Sequence, residues 1–251
     1  MTNKTITLIT GANRGMGLEL AKELGAAGQT VIIGSRNLSN GQSAAQALAA
    51  QGADADAVQL DITDTQSIEQ AVTAITDKYG YLSILINNAG ASFDKFQAPS
   101  ELDMDAMHQE FDLNFFGTVN VTQHFIPLLQ KSPQAKIINI STGLASMADA
   151  LDPQSLAYNF SSMGYQASKA ALNMFTIQLA KEFQKNQLPI TVNAVDPGWI
   201  ATEFGGTSAE SSRANGAQPV EAGVARTVAL ATASDNNVTA TFSNTQGTVN
   251  W

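Results

Sequence analysis

The chain of 251 residues contains no cysteine, which excludes disulfides, thiol nucleophiles and thiolate metal sites. Its two histidines, His108 and His124, are too few and too far apart to suggest a cluster, so no metal site is expected. Basic residues are scarce as well: 13 Lys and Arg stand against 22 Asp and Glu, a formal net charge of −9. Contact with a phosphate backbone needs a basic surface, so no nucleic-acid partner is expected. No apolar run approaches the ~20 residues of a membrane span, so no membrane partner is expected. The opening MTNKTITLIT runs straight into a strand pattern with no apolar signal core, which points to a cytoplasmic protein. Pro/Ser/Gly-rich runs, charge blocks and internal repeats are also missing, so residues 1–251 read as a single domain.

What is present is an alternation of short β-branched runs with longer helical patterns. Strands are expected at 5–10, 30–34, 57–60, 83–86, 136–140 and 190–195. Helices are expected at 16–27, 41–51, 67–79, 104–130 (broken or tilted near Pro127), 164–185 and 220–232. The remainder has an edge-strand ending. Such alternation demands parallel pairing with crossover connections, so the expected fold class is α/β, a Rossmann-type doubly wound parallel sheet.

The first strand ends in ThrGlyAlaAsnArgGlyMetGly, residues 10–17. Gly11, Gly15 and Gly17 permit a tight turn and close backbone approach, and the helix that follows offers free N–H groups to a pyrophosphate. Asn13, Arg14 and Met16 lie within the same candidate dinucleotide loop. The second strand ends GlySerArgAsn, with Ser35 and Arg36 where an NAD site usually carries an acid for the ribose 2′-hydroxyl. Arg36 and Arg14 together match a 2′-phosphate, so NADP(H) is preferred over NAD(H). Asp61, beside Ile62, is placed either to accept from an adenine amino group or to serve the start of the next helix.

Later segments complete a recognisable series: AsnAsnAlaGly at 87–90, Asn114 in LeuAsnPhePheGly, AsnIleSerThrGly at 139–143, TyrGlnAlaSerLys at 165–169 and AspProGlyTrpIleAlaThr at 196–202. In order and position these resemble the short-chain dehydrogenase/reductase superfamily, over essentially the whole chain, in its compact, carbonyl-reductase-like branch. The resemblance implies that Asn88, Ala89 and Gly90 lie beside the cofactor. It implies that Pro197, Gly198, Ile200 and Thr202 follow the nicotinamide, that Lys169 binds the nicotinamide ribose and that Asn114 holds a relay water.

Tyr165 and Lys169 are four residues apart on an expected helix and so share a face. A nearby ammonium, with the positive charge of oxidised nicotinamide, is expected to lower the phenol pKa, fitting Tyr165 to protonate a developing alkoxide. Where the family has Asn-x-Ser-Ser this chain has Asn139-Ile140-Ser141-Thr142, so register nominates Thr142 to polarise the carbonyl, with Ser141 the alternative. The segment 143–164 is longer than the family commonly carries; it reads as a surface excursion or as a pocket wall, and in the carbonyl-reductase branch it resembles, a larger insertion here blocks an oligomerisation face. Residues 199–216 read as a substrate lid or an ordinary mobile loop. The expected activity is NADPH-dependent reduction of a small-molecule ketone or aldehyde, reversible as an alcohol dehydrogenase, by a monomer or homo-oligomer. The rivals are a catalytically silent NADP(H)-binding sensor and a nucleotide-sugar epimerase or dehydratase.

Overall fold

In the computed structural model, which describes residues 4–251, eight strands form one sheet. β1 (Ile6–Thr10), β2 (Thr30–Ser35), β3 (Asp54–Gln59), β4 (Ile84–Asn87), β5 (Ala135–Ile140) and β6 (Ile190–Val195) are joined by β7 (Phe242–Asn244) and β8 (Gly247–Thr248) in the order β3-β2-β1-β4-β5-β6-β7-β8. All pairs are parallel except β7 with β8.

The strands build two cores because successive side chains leave opposite faces. On one face Leu8, Ile32, Leu85 and Ile137 pack with α3 (Thr65–Tyr79), α5 (Thr118–Leu129) and α7 (Met163–Lys185) through Ile68, Phe125 and Phe183. On the other, Ile9, Ile33, Ile86 and Ile138 meet α1 (Gly15–Ala26), α2 (Leu38–Ala49) and α9 (Val220–Thr232) through Leu20, Leu48 and Leu230. This is the doubly wound α/β sheet read from the sequence. Full burial of each such side chain contributes about 1.5–3 kcal/mol.

The order reverses at β1, whose neighbours β2 and β4 lead the chain away in opposite directions. The crevice beyond the carboxyl ends of those strands is where α/β folds of this kind bind ligands. Four candidate site segments open there: the glycine loop after β1, Asn88–Gly90 after β4, Ser141–Thr142 after β5 and Pro197–Thr202 after β6.

The long helix expected over 104–130 is interrupted, but not at Pro127. α4 (Met104–Phe111) passes into a π-helical stretch, Asp112–Gly117, before α5 resumes and runs through Pro127. The missing N–H of Pro127 frees only the carbonyl of Gln123, on the exposed side and close to the helix end. The π stretch instead turns Asn114 inward, where it is fully buried. Between β5 and α7 the excursion forms two 3₁₀ turns and the short helix α6 (Leu156–Asn159), and α8 (Ala209–Ala214) lies in the segment after β6.

Candidate active site

The glycine loop is built for close approach. Gly11 and Gly15 take φ values of 66° and 56°, the left-handed region that a side chain disfavours. A Cβ on Gly17 would stand 2.6 Å from Asn88 Nδ2 and 2.7 Å from the Gly11 carbonyl. Asn88 clamps the loop, donating from Nδ2 to the Thr10 carbonyl at 2.8 Å, while Thr10 Oγ1 accepts the backbone N–H groups of Asn88 and Ala89. No side chain caps the start of α1, so its first N–H groups face the crevice. The cradle therefore fits a pyrophosphate, with Asn13 and Met16 half-buried along it.

At the far end, Arg36, Asn37, Leu38, Ser39 and Gln59 line an open depression at the ends of β2 and β3. Ser35 does not offer its hydroxyl there: it is buried and donates to the Asn37 carbonyl at 2.8 Å. Arg14 is not free either, since its guanidinium pairs with Glu203 at 3.0 Å on the exposed surface. Asp61 Oδ1 accepts from the N–H and hydroxyl of Thr63, and the cap of α3 is Asp64, so the helix-start role falls to Asp64. Ile62 is buried beside Gly117.

Between these ends lie the polar groups of α7 and β5. Lys169 is 4% exposed; its Nζ donates to the Ile140 carbonyl at 2.8 Å and lies 5.9 Å from the Tyr165 ring centre. Gly90 keeps a gap open, because a Cβ there would be 3.0 Å from Asn114 Oδ1 and 3.3 Å from Lys169 Nζ. Asn114 accepts the Ala91 N–H and donates to the Ala91 carbonyl and to Ser168 Oγ.

The two candidate hydroxyls differ. Ser141 is buried and donates to Asn173 Oδ1 at 2.6 Å, whereas Thr142 is half-buried and its Oγ1 accepts only a long 3.3 Å contact from the Leu144 N–H. Asn173 and Thr176, which holds Asn139 Nδ2, sit on the same face of α7 as Tyr165 and Lys169. Neither was singled out from the sequence, although the spacing 165, 169, 173, 176 repeats at helical intervals.

Burial pushes the Tyr165 phenol well above its usual range, and the charge of Asp196 adds to this, as that of Glu110 would if it were ionised. The lowering expected from Lys169 is not seen: burial outweighs it and the phenol is raised instead. Burial also brings the Lys169 ammonium down, to about 8. Phe204, in the segment after β6, packs edge-on against the Tyr165 ring at 5.5 Å. Ala201 N–H donates to Gln218 and Gln218 N–H to Trp199, which ties the base of that segment near Ile200. Gly198 donates to Asp196 Oδ1, Pro197 is half-buried beside it, and Thr202 lies 3.9 Å from where a Gly15 Cβ would stand.

A family model described as short chain dehydrogenase matches residues 5–213. The chain belongs to the short-chain dehydrogenase/reductase family. Among relatives of this family, the short-chain dehydrogenase anuI of Penicillium roqueforti is 30% identical over 223 residues, 86% of this chain and 87% of that protein. Carbonyl reductase (NADPH) 1 of Macaca fascicularis is 29% identical over 248 residues, 85% and 88% of the two chains. The solved NADPH-bound carbonyl reductase from chicken fatty liver superposes with a TM-score of 0.83 at 28% identity, covering 99% of this chain and 100% of that one. Among the described residues, no helix is long and apolar enough to cross a membrane and no group of residues suits a metal ion.

Proposed function

We propose that this short-chain dehydrogenase/reductase is an NADPH-dependent carbonyl reductase that converts a ketone or aldehyde to the alcohol, reversibly, with Tyr165 as the acid–base group. The observation that carries this reading is Lys169: a buried ammonium with three donors, to which the protein supplies one acceptor among the described residues, directed past Gly90 toward the crevice. A sensor that only held a dinucleotide could use Lys169 for the nicotinamide ribose but would have no use for the half-buried phenol beside it.

Gly11, Gly15, Gly17, Asn88 and Thr202 would hold the dinucleotide, with Arg36 toward its 2′-phosphate. Arg14 would exchange Glu203 for the same phosphate, a cheap exchange because exposed ion pairs contribute about 0–1 kcal/mol. When bound, the nicotinamide would supply the hydride for the carbonyl carbon. Thr142 donates its hydroxyl proton as a hydrogen bond to the carbonyl oxygen and holds it in place. Tyr165, whose proton is held tightly by burial, releases it to that oxygen once charge develops there. Lys169 stabilises the phenolate left behind, and Asn114 fixes Ala91 and the floor of the crevice.

The test is loss of NADPH absorbance with a panel of ketones, diketones and aldehydes. Tyr165→Phe should abolish turnover with cofactor affinity nearly intact; retention of more than about a tenth of kcat would remove Tyr165 from the acid role.

A further inference from the structure

Two fully buried carboxylates lie outside the machinery described so far. Glu110, on α4, and Asp94, in the loop after β4, are both 0% exposed. Glu110 Oε1 accepts the N–H groups of Phe93 and Asp94 at 2.6 and 3.2 Å. Asp94 in turn accepts the Gly164 N–H at 3.1 Å and the Ser162 hydroxyl at 2.7 Å. Gly164 immediately precedes Tyr165, and any side chain there would overlap Glu110 Oε2. We propose that Glu110 is a positioning residue for the reaction, acting with Asp94 as a clasp that fastens the 91–97 loop to the opening turn of α7. The proposal rests on Tyr165 being the acid–base group.

The loop bears the marks of a fastened segment. Lys95 and Phe96 take φ values of 49° and 60°, which non-glycine residues adopt only when their surroundings impose them. Phe96 packs edge-on against Phe160 at 5.2 Å, and Ser161 Oγ donates to the Gln97 carbonyl, so the clasp also sets the segment leading into Tyr165. Slackening it would shift the loop, the excursion and Tyr165 relative to Thr142 together.

The clasp works with one of its acids neutral. Asp94 has an N–H and a hydroxyl to stabilise its charge, whereas Glu110 Oε2 is buried without a hydrogen-bond partner. A carboxylate oxygen in that position is costly, so the proton resides on Glu110. Burial first, then the charge of Asp94, pushes the Glu110 carboxyl above its usual value, against the backbone donors. Asp94 from the loop and Tyr165 from α7 are the titratable groups that face it. An ionised Glu110 would also make Tyr165 harder to deprotonate.

Glu110→Gln keeps the shape and neutrality; Glu110→Ala removes the clasp. With NADPH and a ketone substrate, the Gln variant should stay within about threefold of the parent kcat, and the Ala variant should lose on the order of tenfold or more. NADPH affinity, read by fluorescence, should be unchanged in both. In urea unfolding, the parent should lose stability relative to the Gln variant as pH rises above the ordinary Glu value near ~4.3. Full kcat in the Ala variant would overturn the positioning role, and a Gln variant as impaired as Ala, or parallel stability curves, would overturn the neutral clasp. Where Glu110→Ala fails to fold, Asp94→Asn must show the same kcat loss with intact NADPH affinity, and unchanged kcat there overturns the role. A Tyr165→Phe variant that keeps activity refutes the acid assignment instead, since the Glu110→Gln stability difference does not depend on Tyr165.

Discussion

At the end of β5 two adjacent hydroxyls face opposite surroundings, and that difference separates their expected effects. Thr142 lies toward the crevice, so Thr142→Ala should cut kcat by roughly 10²–10³, the scale of one lost transition-state donor. Ser141→Ala should act mainly on stability, by about 1–3 kcal/mol, because Asn173 already has Nδ2 unpartnered and would lose its Oδ1 partner as well. Steady-state kinetics beside urea unfolding distinguish the two, and the reverse ranking would move the polarising role to Ser141. Lys169 gives a second residue-scale expectation. Its folded pKa of about 8 lies below the ordinary 10.5, so the buried charge costs stability fully below pH 8. The cost fades as the folded state sheds its proton toward 10.5. Lys169→Met should therefore be inactive yet more stable at pH 7, by up to ~3 kcal/mol. That gain should shrink by pH 10; a Met variant less stable than the parent at pH 7 would refute it.

The elements differ in how openly the sequence announced them. Helices followed from hydrophobic periodicity because each buries one face on the sheet, and strands from short β-branched runs because helices cover the sheet on both faces. The π-helical stretch did not, since it arises from the tertiary bonds that draw Asn114 to Ala91 and Ser168 rather than from local propensity. The glycine loop was legible from spacing and context, and the Tyr165–Lys169 pair from helical geometry. Nothing in GlySerArgAsn reveals that the Ser35 hydroxyl turns back to the Asn37 carbonyl. Glu110 was overlooked because a carboxylate reads as surface, although it shares a helical stripe with Met107 and Asn114. The loop element carries its own prediction. Gly17→Ala would force its methyl against Asn88 Nδ2 and the Gly11 carbonyl, so α1 must shift. NADPH affinity should fall at least tenfold, roughly 1.4 kcal/mol, by fluorescence titration; unchanged affinity would contradict the close packing.

On the scale of the whole molecule, the proposed cofactor links binding to stability, since a dinucleotide held by loops after several different strands would bind only the folded chain. At 100 times its Kd a ligand adds ~2.7 kcal/mol, so NADPH should raise Tm by several degrees and NADH by less at the same concentration. Arg36→Ala should narrow that difference and raise KM for NADPH roughly 10- to 100-fold. Equal shifts from the two cofactors in the parent protein would refute the 2′-phosphate assignment. The sheet also carries a constraint on how the chain folds. Asn87 and Asn139 are register partners on β4 and β5, and their amides join each other, Thr122 and Thr176 inside the sheet–helix layer. A one-residue slip of β5 would carry Asn139 to the opposite apolar face, without those partners, at about 1–3 kcal/mol for each stranded group. The misregistered intermediates open to a parallel sheet of such long connections are thereby penalised while the chain is still folding.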